Sequence, residues 1–308
     1  MELRKIWTGR NDGEDILNRR LHQVIKYDDN FQPNSFVING FAVDEGVRRN
    51  RGRIGARKGP DIIRSFLANF PVTQTQLELY DAGNIYCIDQ DLETAQESLM
   101  RRVSDTIRQG CKSVVLGGGH ELLWAHFNGL RTALPNQNIG IINIDAHFDN
   151  RPLPLGKSTS GTGFYQIAQI EPLNSLHIGI QRNSNTLALF DSAHQFNMEY
   201  ILAEEVFYDN LPEIYQKVDL LVQRSDKLYL SVCMDVFNSS QAPGVSAPSF
   251  NGIFTDSTFM LLFRHILASS KLVAMDVAET NPDFDVDNRT ARLAASLVNE
   301  WFMALGAV

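Results

Sequence analysis

The segment IINIDAHFDNR, residues 141–151, decides the fold and points to the chemistry. Its first residues, three isoleucines around one asparagine, form an apolar run typical of a buried strand. Asp145, His147 and Asp149 follow at alternate positions. Side chains two residues apart in an extended segment share a face, so these carboxylates and the imidazole can converge on one point. The segment therefore predicts a buried strand that ends in a cluster of polar ligands.

Similar short apolar runs recur along the chain and alternate with amphipathic segments. The strand candidates are SFVINGFAV (35–43), LELYDA (77–82), SVVLG (113–117), IGIINID (139–145), LHIGI (176–180), EYILA (199–203), KLYLSVCMDV (227–236) and KLVAMDV (271–277). The clearest helix candidates are residues 92–110, 121–134, 211–224 and 288–306. This alternation is typical of repeated β-α units and a parallel sheet. We expect one three-layer α/β/α domain over residues 1–308, with a mostly parallel sheet of roughly eight strands and residues 1–34 as an N-terminal extension.

Composition narrows the class of protein. The 308 residues include 28 Lys and Arg against 36 Asp and Glu, a net charge of -8, which disfavours binding to nucleic acid or to an anionic membrane. The three cysteines, Cys87, Cys111 and Cys233, show no paired spacing and fit a reducing compartment. No run approaches the length of a membrane span or a signal peptide. The sequence predicts a cytoplasmic enzyme that acts on a small molecule.

Polar residues close four of the predicted strands. Sheets of this class bind ligands at the carboxyl ends of their strands. Besides the segment quoted first, the residues at these ends are His120, Cys233, Asp235, Asp276 and Glu279. Carboxylates with imidazoles are ligands for Mn²⁺, Zn²⁺ or Fe²⁺, and clustered carboxylates repel one another unless cations lie between them. The strand ends therefore predict a metal centre.

Simpler explanations exist for each residue taken alone. His120 could cap a turn, Asp145 could cap a helix, and LGGGHE could be a dinucleotide loop, although it lacks the third glycine of that motif. None of these explains the D-x-H-x-D spacing. The remaining histidines have no neighbouring ligand types and are expected at the surface or hydrogen-bonded in the core; they are His22, His126, His177, His194 and His265.

Three motifs carry a family resemblance. GGGHE (117–121), DAHFD (145–149) and SVCMD (231–235), the last followed by APGVSAP (242–248), resemble the motifs of the arginase, agmatinase and formimidoylglutamase superfamily. Four further segments resemble the formimidoylglutamase branch, whose members hydrolyse N-formimidoyl-L-glutamate to L-glutamate and formamide in histidine degradation; they are residues 44–64, 158–164, 179–186 and 275–295. The resemblance implies an arginase-like fold and a hydrolase of linear amidines.

The resemblance also implies ligands and roles. One Mn²⁺ would be held by His120, Asp145, Asp149 and Cys233, and a second by Asp145, His147, Cys233 and Asp235, with a hydroxide between the ions. Asp149, Glu279 and His147 form the implied catalytic set. Glu279 would pair with the amidinium nitrogens, and Asp149 would accept a proton and return it to the departing amine. Asp276 would be structural support.

Two positions depart from the family pattern. Ser160 stands where agmatinases have histidine, which argues against agmatine and arginine as substrates. Cys233 stands where the family supplies a bridging carboxylate, and a soft thiolate suits Mn²⁺ poorly, so the site could bind metal weakly, hold one ion or prefer Zn²⁺ or Fe²⁺. The alternatives are a guanidinobutyrase-like or agmatinase-like guanidine hydrolase and a degenerate, non-catalytic homologue.

Substrate selection in an acidic protein requires local cations. Guanidinium groups bind carboxylates through two parallel hydrogen bonds. The predicted substrate-binding residues lie in loops at the active end of the sheet and are Arg53, Arg151, Ser160, Arg182 and Asn185, with Arg151 and Arg182 as the preferred pair. The partner is thus an acidic amidine. The superfamily's trimers and hexamers imply a homo-oligomer.

Overall fold

The computed structural model describes residues 3–304. A single sheet lies at its centre. Its strands are β1 (Phe36–Ala42), β2 (Leu79–Tyr86), β3 (Lys112–Gly117), β4 (Ile139–Ile144), β5 (Ser175–Ile180), β6 (Glu199–Leu202), β7 (Lys227–Cys233) and β8 (Leu272–Ala278). Each overlaps one of the predicted strands. The differences are confined to a few terminal residues, the least certain part of a sequence-based assignment.

Helices connect the strands. They are α1 (Leu3–Ile6), α2 (Leu21–Val24), α3 (Glu45–Arg49), α4 (Gly59–Leu67), α5 (Leu92–Arg108), α6 (Leu122–Ala133), α7 (Gly163–Ala168), α8 (Leu187–Gln195), α9 (Leu211–Arg224), α10 (Ser257–Leu267) and α11 (Arg289–Ala304). The four strongest helix candidates of the sequence are α5, α6, α9 and α11. Within residues 3–304, no helix combines the length and apolar character needed to cross a membrane.

The strand order places the polar strand ends together. The sheet runs β2-β1-β3-β8-β7-β4-β5-β6, and every pair of neighbours is parallel. The four strands followed by predicted ligands, β3, β8, β7 and β4, are therefore consecutive at the middle of the sheet. Because parallel strands end at the same edge, their ligands meet there. The expected α/β/α fold is confirmed, and the sheet is entirely parallel.

Two hydrophobic cores make the layers. One core packs α4, α9, α10 and α11 against one face of the sheet, with Leu228, Leu230 and Val232 of β7 pointing into it. The other packs α5, α6, α7 and α8 against the opposite face. Alternation along each strand feeds both cores, as the two-residue period requires. Both faces of the sheet are buried, so side chains that must reach a ligand from solvent lie at its edge.

The N-terminal segment packs onto this domain. Trp7, Leu21 and Ile25 belong to the first core. The Trp7 indole N–H donates to Asp81 Oδ2 at 2.7 Å, and Arg64 binds the same carboxylate through Nε at 2.7 Å and Nη2 at 2.9 Å. Arg64 and Asp81 have fully buried side chains. One ion pair thus ties the N-terminal segment, α4 and β2 together.

We predict that Asp81→Ala lowers the free energy of unfolding by about 3–5 kcal/mol, because it leaves the Arg64 guanidinium buried without its counter-charge. Urea denaturation measures the change. Asp209→Ala, at an exposed position, is the control and is expected to change stability by less than about 0.5 kcal/mol. A loss at Asp81 no larger than that of the control would show that the pair does not hold the segment in place.

Candidate metal centre

The loop after β3 brings His120 to the centre. Gly118 lies so close to the loop after β1 that a Cβ atom there would approach the Val43 carbonyl oxygen to 1.8 Å. Its backbone N–H donates to Phe41 O at 2.7 Å, and its own carbonyl accepts from Glu279 N–H at 2.7 Å. The glycines therefore allow two strand ends to meet. This close packing explains the GGGHE motif without a dinucleotide.

His120 presents Nδ1 to two carboxylates. Nδ1 lies 2.8 Å from Asp149 Oδ2 and 3.0 Å from Asp145 Oδ2, yet it makes no hydrogen bond of acceptable geometry within the described chain. Nε2 lies 2.9 Å from Ser231 Oγ, and that hydroxyl donates to Asp276 Oδ1 at 2.7 Å. Since the hydroxyl proton is used on Asp276, Ser231 accepts from Nε2–H. This assigns the free lone pair to Nδ1, as a metal ligand needs.

A second set of ligands shares Asp145. His147 Nδ1 lies 3.1 Å from Asp235 Oδ2 and 3.6 Å from Asp145 Oδ1. In each of two groups, His120 with Asp145 and Cys233 and Asp145 with His147 and Asp235, the ligand atoms lie within 4.8 Å of one another. Asp145 belongs to both, so its carboxylate can serve two ions. The geometry brings together all six predicted metal ligands.

The charges of this cluster call for a cation. Burial, followed by the charge of Asp145, raises the pKa of Asp149, and burial raises the pKa of Asp235 and Glu279. Asp235 Oδ1 and Glu279 Oε2 are buried and have no hydrogen-bond partner in residues 3–304. Unpaired buried carboxylate oxygens are costly. A divalent ion fits the oxygen and nitrogen donors and relieves their repulsion.

Cys233 ends β7 inside the cluster. Its side chain is buried, and burial together with Asp145 and three further carboxylates raises the pKa of its thiol well above the usual range. A thiol in that state is neutral and a poor ligand, whereas a bound cation would favour the thiolate. The geometry therefore places Cys233 where a ligand is needed, with chemistry that suits a hard ion poorly.

Two site residues have unusual backbone conformations. Asp149 has φ 47° and Glu279 has φ 66°, both in the left-handed region that non-glycine residues seldom adopt. Each costs about 1–3 kcal/mol and is held by the surrounding structure. The Asp149 carbonyl accepts from Phe164 N–H at 3.0 Å, and Glu279 Oε1 accepts from His120 N–H at 3.0 Å. The backbone thus turns both carboxylates toward the cluster.

A buried polar network lies behind the ligand cluster. Asp276 also accepts hydrogen bonds from Tyr229 and from His126, whose Nδ1 lies 2.8 Å away. His126 Nε2 is 3.1 Å from Ser113 Oγ. His126 is buried and hydrogen-bonded, which agrees with the expectation for a core histidine. The expectation that Asp276 is structural support fits its position.

His177 is the second buried histidine among the five that the sequence left at the surface or hydrogen-bonded in the core. It lies on β5, with Nε2 3.0 Å from Ser175 Oγ. Burial lowers the pKa of His177 to about 3, so the ring is neutral at physiological pH. A neutral ring is consistent with its contact with Phe164, whose ring centroid lies 4.4 Å away.

The cluster opens into a pocket. Six residues at the strand ends line this pocket; they are His120, His147, Asp149, Cys233, Asp235 and Glu279. Of the predicted substrate-binding residues, Arg151 and Ser160 line its wall. Asn50 also lines it, and the Asn50 amide donates to Ser160 Oγ at 3.1 Å. Among the described lining residues, Arg151 carries the one guanidinium.

The other predicted substrate-binding residues do not line this pocket. Arg182 is exposed, and its Nε lies 2.9 Å from Glu204 Oε1. Arg53 Nε donates to Ser246 O at 3.1 Å, and its guanidinium lies 4.2 Å from the Phe284 ring. Ser246 lines the pocket, whereas Arg53 does not. Arg53 therefore contacts a residue of the pocket lining without bordering the pocket itself. Their role in substrate binding stays a prediction.

Asn185 braces the metal loop. Its amide donates to Ala146 O at 2.9 Å and to Gln181 O at 2.8 Å, while its Oδ1 accepts from Phe148 N–H at 3.1 Å. Both N–H donors are therefore used within the protein. These contacts favour a role in holding residues 145–149 rather than a direct contact with substrate.

Several residues of the site were not singled out from the sequence. Ser184, Leu189, Ser246 and Ala247 line the pocket, and Ser231 orients His120. Ser231 could have been found, because it lies two residues before Cys233 and therefore on the same face of β7. Ser246 and Ala247 lie in the APGVSAP motif, but no residue type there marks them individually.

Glu121 joins the metal loop to the pocket wall. It is fully buried, and its Oε1 accepts from Gly46 N–H of α3 at 2.8 Å. Burial raises the pKa of Glu121 to about 8. The helix it holds leads directly to Asn50. The residue after a predicted metal ligand thus positions a side chain of the pocket, which sequence spacing alone does not indicate.

Fold and site together define the class. Residues 34–304 match the arginase family over most of the chain, and the protein belongs to that family. The resemblance predicted from the motifs is confirmed.

The curated relatives that it matches include formimidoylglutamases. That of Staphylococcus haemolyticus (strain JCSC1435) is 39% identical over 307 residues, covering 97% of this chain and 98% of the relative. That of Rhodococcus opacus (strain B4) is 41% identical over 302 residues, covering 95% of this chain and 93% of the relative.

Solved structures agree with this relationship. The crystal structure of Trypanosoma cruzi formiminoglutamase with Mn2+2 is 26% identical, with a TM-score of 0.78 over 89% of this chain and 94% of that one. The crystal structure of Bacillus subtilis formimidoylglutamase has a TM-score of 0.86 over 99% and 98% of the two chains; at 21% identity it supports the fold alone.

We predict that Ser231→Ala weakens Mn²⁺ binding by about 10–100-fold, because His120 loses the acceptor that fixes its ring. Calorimetric titration with Mn²⁺ measures the affinity, and the rise in melting temperature with Mn²⁺ gives a second readout. Ser98→Ala is the matched control, because Ser98 is a partly exposed serine on α5 that touches none of the cluster residues. Equal Mn²⁺ affinity in the two variants would contradict the role of Ser231.

Proposed function

We propose that this protein is a manganese-dependent hydrolase that converts N-formimidoyl-L-glutamate and water into L-glutamate and formamide. The observation that carries the proposal is the meeting, in one pocket, of a two-part ligand cluster, the unpaired Oε2 atom of Glu279 and the Arg151 guanidinium. The ligand cluster suits two metal ions, Glu279 suits the amidinium of the substrate, and Arg151 suits a substrate carboxylate. The relatives named formimidoylglutamase support the same assignment.

The metal is proposed as a pair of Mn²⁺ ions. The ligands would be His120, Asp145, Asp149 and Cys233 for one ion and Asp145, His147, Cys233 and Asp235 for the other. When bound, divalent cations supply the Lewis acidity that lets water act as a nucleophile near neutral pH. The related structure with Mn2+2 supports this choice.

Glu279 is proposed to bind the amidine. Its Oε1 is held by the His120 backbone N–H, which leaves Oε2 without a partner among residues 3–304. An amidinium offers N–H donors to that oxygen, and the charge-assisted hydrogen bond orients the reacting carbon over the ligand cluster. A cationic substrate group also relieves the charge that Glu279 would otherwise bear next to Asp235 and Glu121.

Asp149 is proposed to carry the proton. Its carboxylate lines the pocket and lies beside His120, and burial raises its pKa, which favours proton uptake. It would accept the proton from the attacking water and hand it to the departing amine of glutamate. His147 borders the same pocket and completes the proposed catalytic set by holding Asp235 on the other side of the cluster.

Arg151 is proposed as the principal clamp for the substrate carboxylates. It lies on the pocket wall beside Ser160 and Asn50, which offer a hydroxyl and an amide. Arg182 can join the clamp if it releases Glu204, while Arg53 and Asn185 support the surrounding loops. A serine at position 160 and a guanidinium on the wall favour an acidic amidine over a guanidine hydrolase's cationic substrate.

Location and assembly are part of the proposal. The three thiols, Cys87, Cys111 and Cys233, are unpaired, which is consistent with work in the reducing cytoplasm. The trimers and hexamers of the superfamily support a homo-oligomer of one of these sizes.

We predict turnover of N-formimidoyl-L-glutamate by the Mn²⁺-loaded protein and none of agmatine. Arg151→Ala should raise KM by about tenfold or more, because a charge-assisted hydrogen bond contributes about 1.5–3 kcal/mol, with a smaller effect on kcat. Arg182→Ala is the comparison and should have the weaker effect. Formamide release measured by steady-state kinetics decides both. Comparable turnover of agmatine or arginine would refute the substrate assignment.

We predict that Cys233→Asp tightens Mn²⁺ binding and raises occupancy toward two ions per chain, because a carboxylate gives a hard ion two oxygen donors in place of one sulfur. Mn²⁺ titration by calorimetry and elemental analysis of dialysed protein measure the change. The activity at limiting Mn²⁺ should rise in parallel.

The opposite result favours the non-catalytic alternative. If the aspartate variant binds no more Mn²⁺ and melts at a lower temperature, the new carboxylate is an unpaired buried charge. Cys233 would then be a buried thiol beside a centre that has lost its metal. Cys233→Ser controls for removal of the thiol without added charge.

A further inference from the structure

A second cavity lies apart from the metal centre, between β1, β2 and the C-terminal half of α5. It has a volume of about 450 Å³, and its walls include Asp29, Phe31, Asn39, Ala82, Arg102 and Thr106. None of these residues lines the metal pocket. A cavity of this volume is within the range of small-molecule sites.

Asn39 makes this cavity unusual. It lies in the middle of β1, its side chain is completely buried, and neither its Nδ2 nor its Oδ1 has a hydrogen-bond partner in the part of the chain that the structure describes. The neighbours Val37 and Phe41 on the same face of the strand are apolar and packed into cores. A buried amide without partners costs about 1–3 kcal/mol. Asn39 also borders the cavity, so a molecule bound there would be the nearest source of the partners that this amide lacks within residues 3–304.

The backbone opposite Asn39 is irregular. The register between β1 and β2 shifts between Ile38 and Gly40, so that β2 carries a bulge there. Gly83 in the bulge has φ 83°, a conformation that favours glycine. Bulges often lie beside functional sites, where they redirect the strand. Here the bulge turns two carbonyl groups toward α5.

Arg102 of α5 contacts the backbone of the bulge. Its Nη1 donates to Ala82 O at 2.8 Å and to Gly83 O at 3.4 Å. No hydrogen bond from Nε or Nη2 is present within residues 3–304, so this half-buried guanidinium retains donors for an anion. Burial lowers the pKa of Arg102, and a bound anion would offset that desolvation.

The cavity also has a negative charge, that of Asp29, besides the positive charge of Arg102. Asp29 is exposed, and its charge favours the protonated form of Arg102, but the two residues form no ion pair within the described chain. Asp105, one turn along α5, lies 3.8 Å from Arg108 instead. A cation and an anion held apart in one cavity complement a molecule that carries both charges.

We propose that this cavity binds a free α-amino acid whose side chain ends in a carboxamide. The α-carboxylate pairs with Arg102 and the α-ammonium group with Asp29. The carboxamide pairs with Asn39, because two amides can exchange a donor and an acceptor in a cyclic pair of hydrogen bonds. Glutamine and asparagine are the amino acids of this class.

The test is binding to the full chain, with no reference to its catalytic activity. L-Glutamine and L-asparagine are titrated by calorimetry, alongside L-leucine, which has the same charges with an apolar side chain, and propionate, which has the carboxylate alone. We expect saturable binding of a carboxamide amino acid at least about tenfold tighter than that of leucine or propionate, because the Asn39 amide is otherwise unpaired.

Two variants and one control locate the site. Asn39→Leu removes the amide at similar volume and should weaken binding about tenfold or more, and Arg102→Gln should do the same by removing the cation. Arg101→Gln, the adjacent exposed arginine on α5, should leave the affinity unchanged. A crystal structure with the bound amino acid would place it against both residues.

Several results would overturn the proposal. They are no saturable binding by the unmodified protein, equal binding of leucine or propionate, and equal affinity in the Asn39→Leu variant. A raised melting temperature of Asn39→Leu without any ligand binding would show that the cavity holds water only, since the substitution then simply removes an unpaired buried amide.

Discussion

The main constraint on this structure is electrostatic: the fold brings several buried carboxylates together at the middle of one sheet edge, where they repel one another. Asp145, Asp149, Asp235 and Glu279 come from three different strands, and burial raises the pKa of the last three. Such a cluster is costly unless cations or protons neutralise it. His120 and His147 face these carboxylates and offer ring nitrogens as further ligands for a cation. The requirement for positive charge links the fold to the proposed chemistry, because the cations that would stabilise the cluster are also those proposed to activate water.

Rigid support keeps these ligands in position. The close approach at Gly118 fixes two strand ends, while Ser231 and Asp276 orient the His120 ring from the buried side. Asn185 holds the loop that carries the D-x-H-x-D residues. Apart from the Asp276 carboxylate, which lies behind Ser231, these contacts use backbone groups and neutral side chains, so they add little negative charge to the cluster. A site held in this way needs little reorganisation when its substrate binds.

The residues of the ligand cluster could be singled out from the sequence because their spacing follows the two-residue period of an extended chain and because strand ends are where such sheets bind ligands. The residues that line the pocket wall were harder to predict. Arg151 lies on the pocket wall, but Arg182 pairs with Glu204 and Arg53 donates to Ser246 O. Long side chains reach several partners, and their loop position does not decide which one they take. Asn39 is a similar case within a strand. The residue type alone does not show that its amide lacks hydrogen-bond partners.

By itself the sequence determined the eight strands, the layered fold and the family, since apolar periodicity and three ordered motifs are local properties of the chain. Only the tertiary structure decided the order of the strands, which sets β3, β8, β7 and β4 side by side and so makes one site from four separate segments. It also decided that His120 offers Nδ1 and that Cys233 lies among carboxylates. These features depend on contacts between residues that lie tens of positions apart or more, such as His120 with Asp149 and with Ser231, and a local pattern carries no record of such distances.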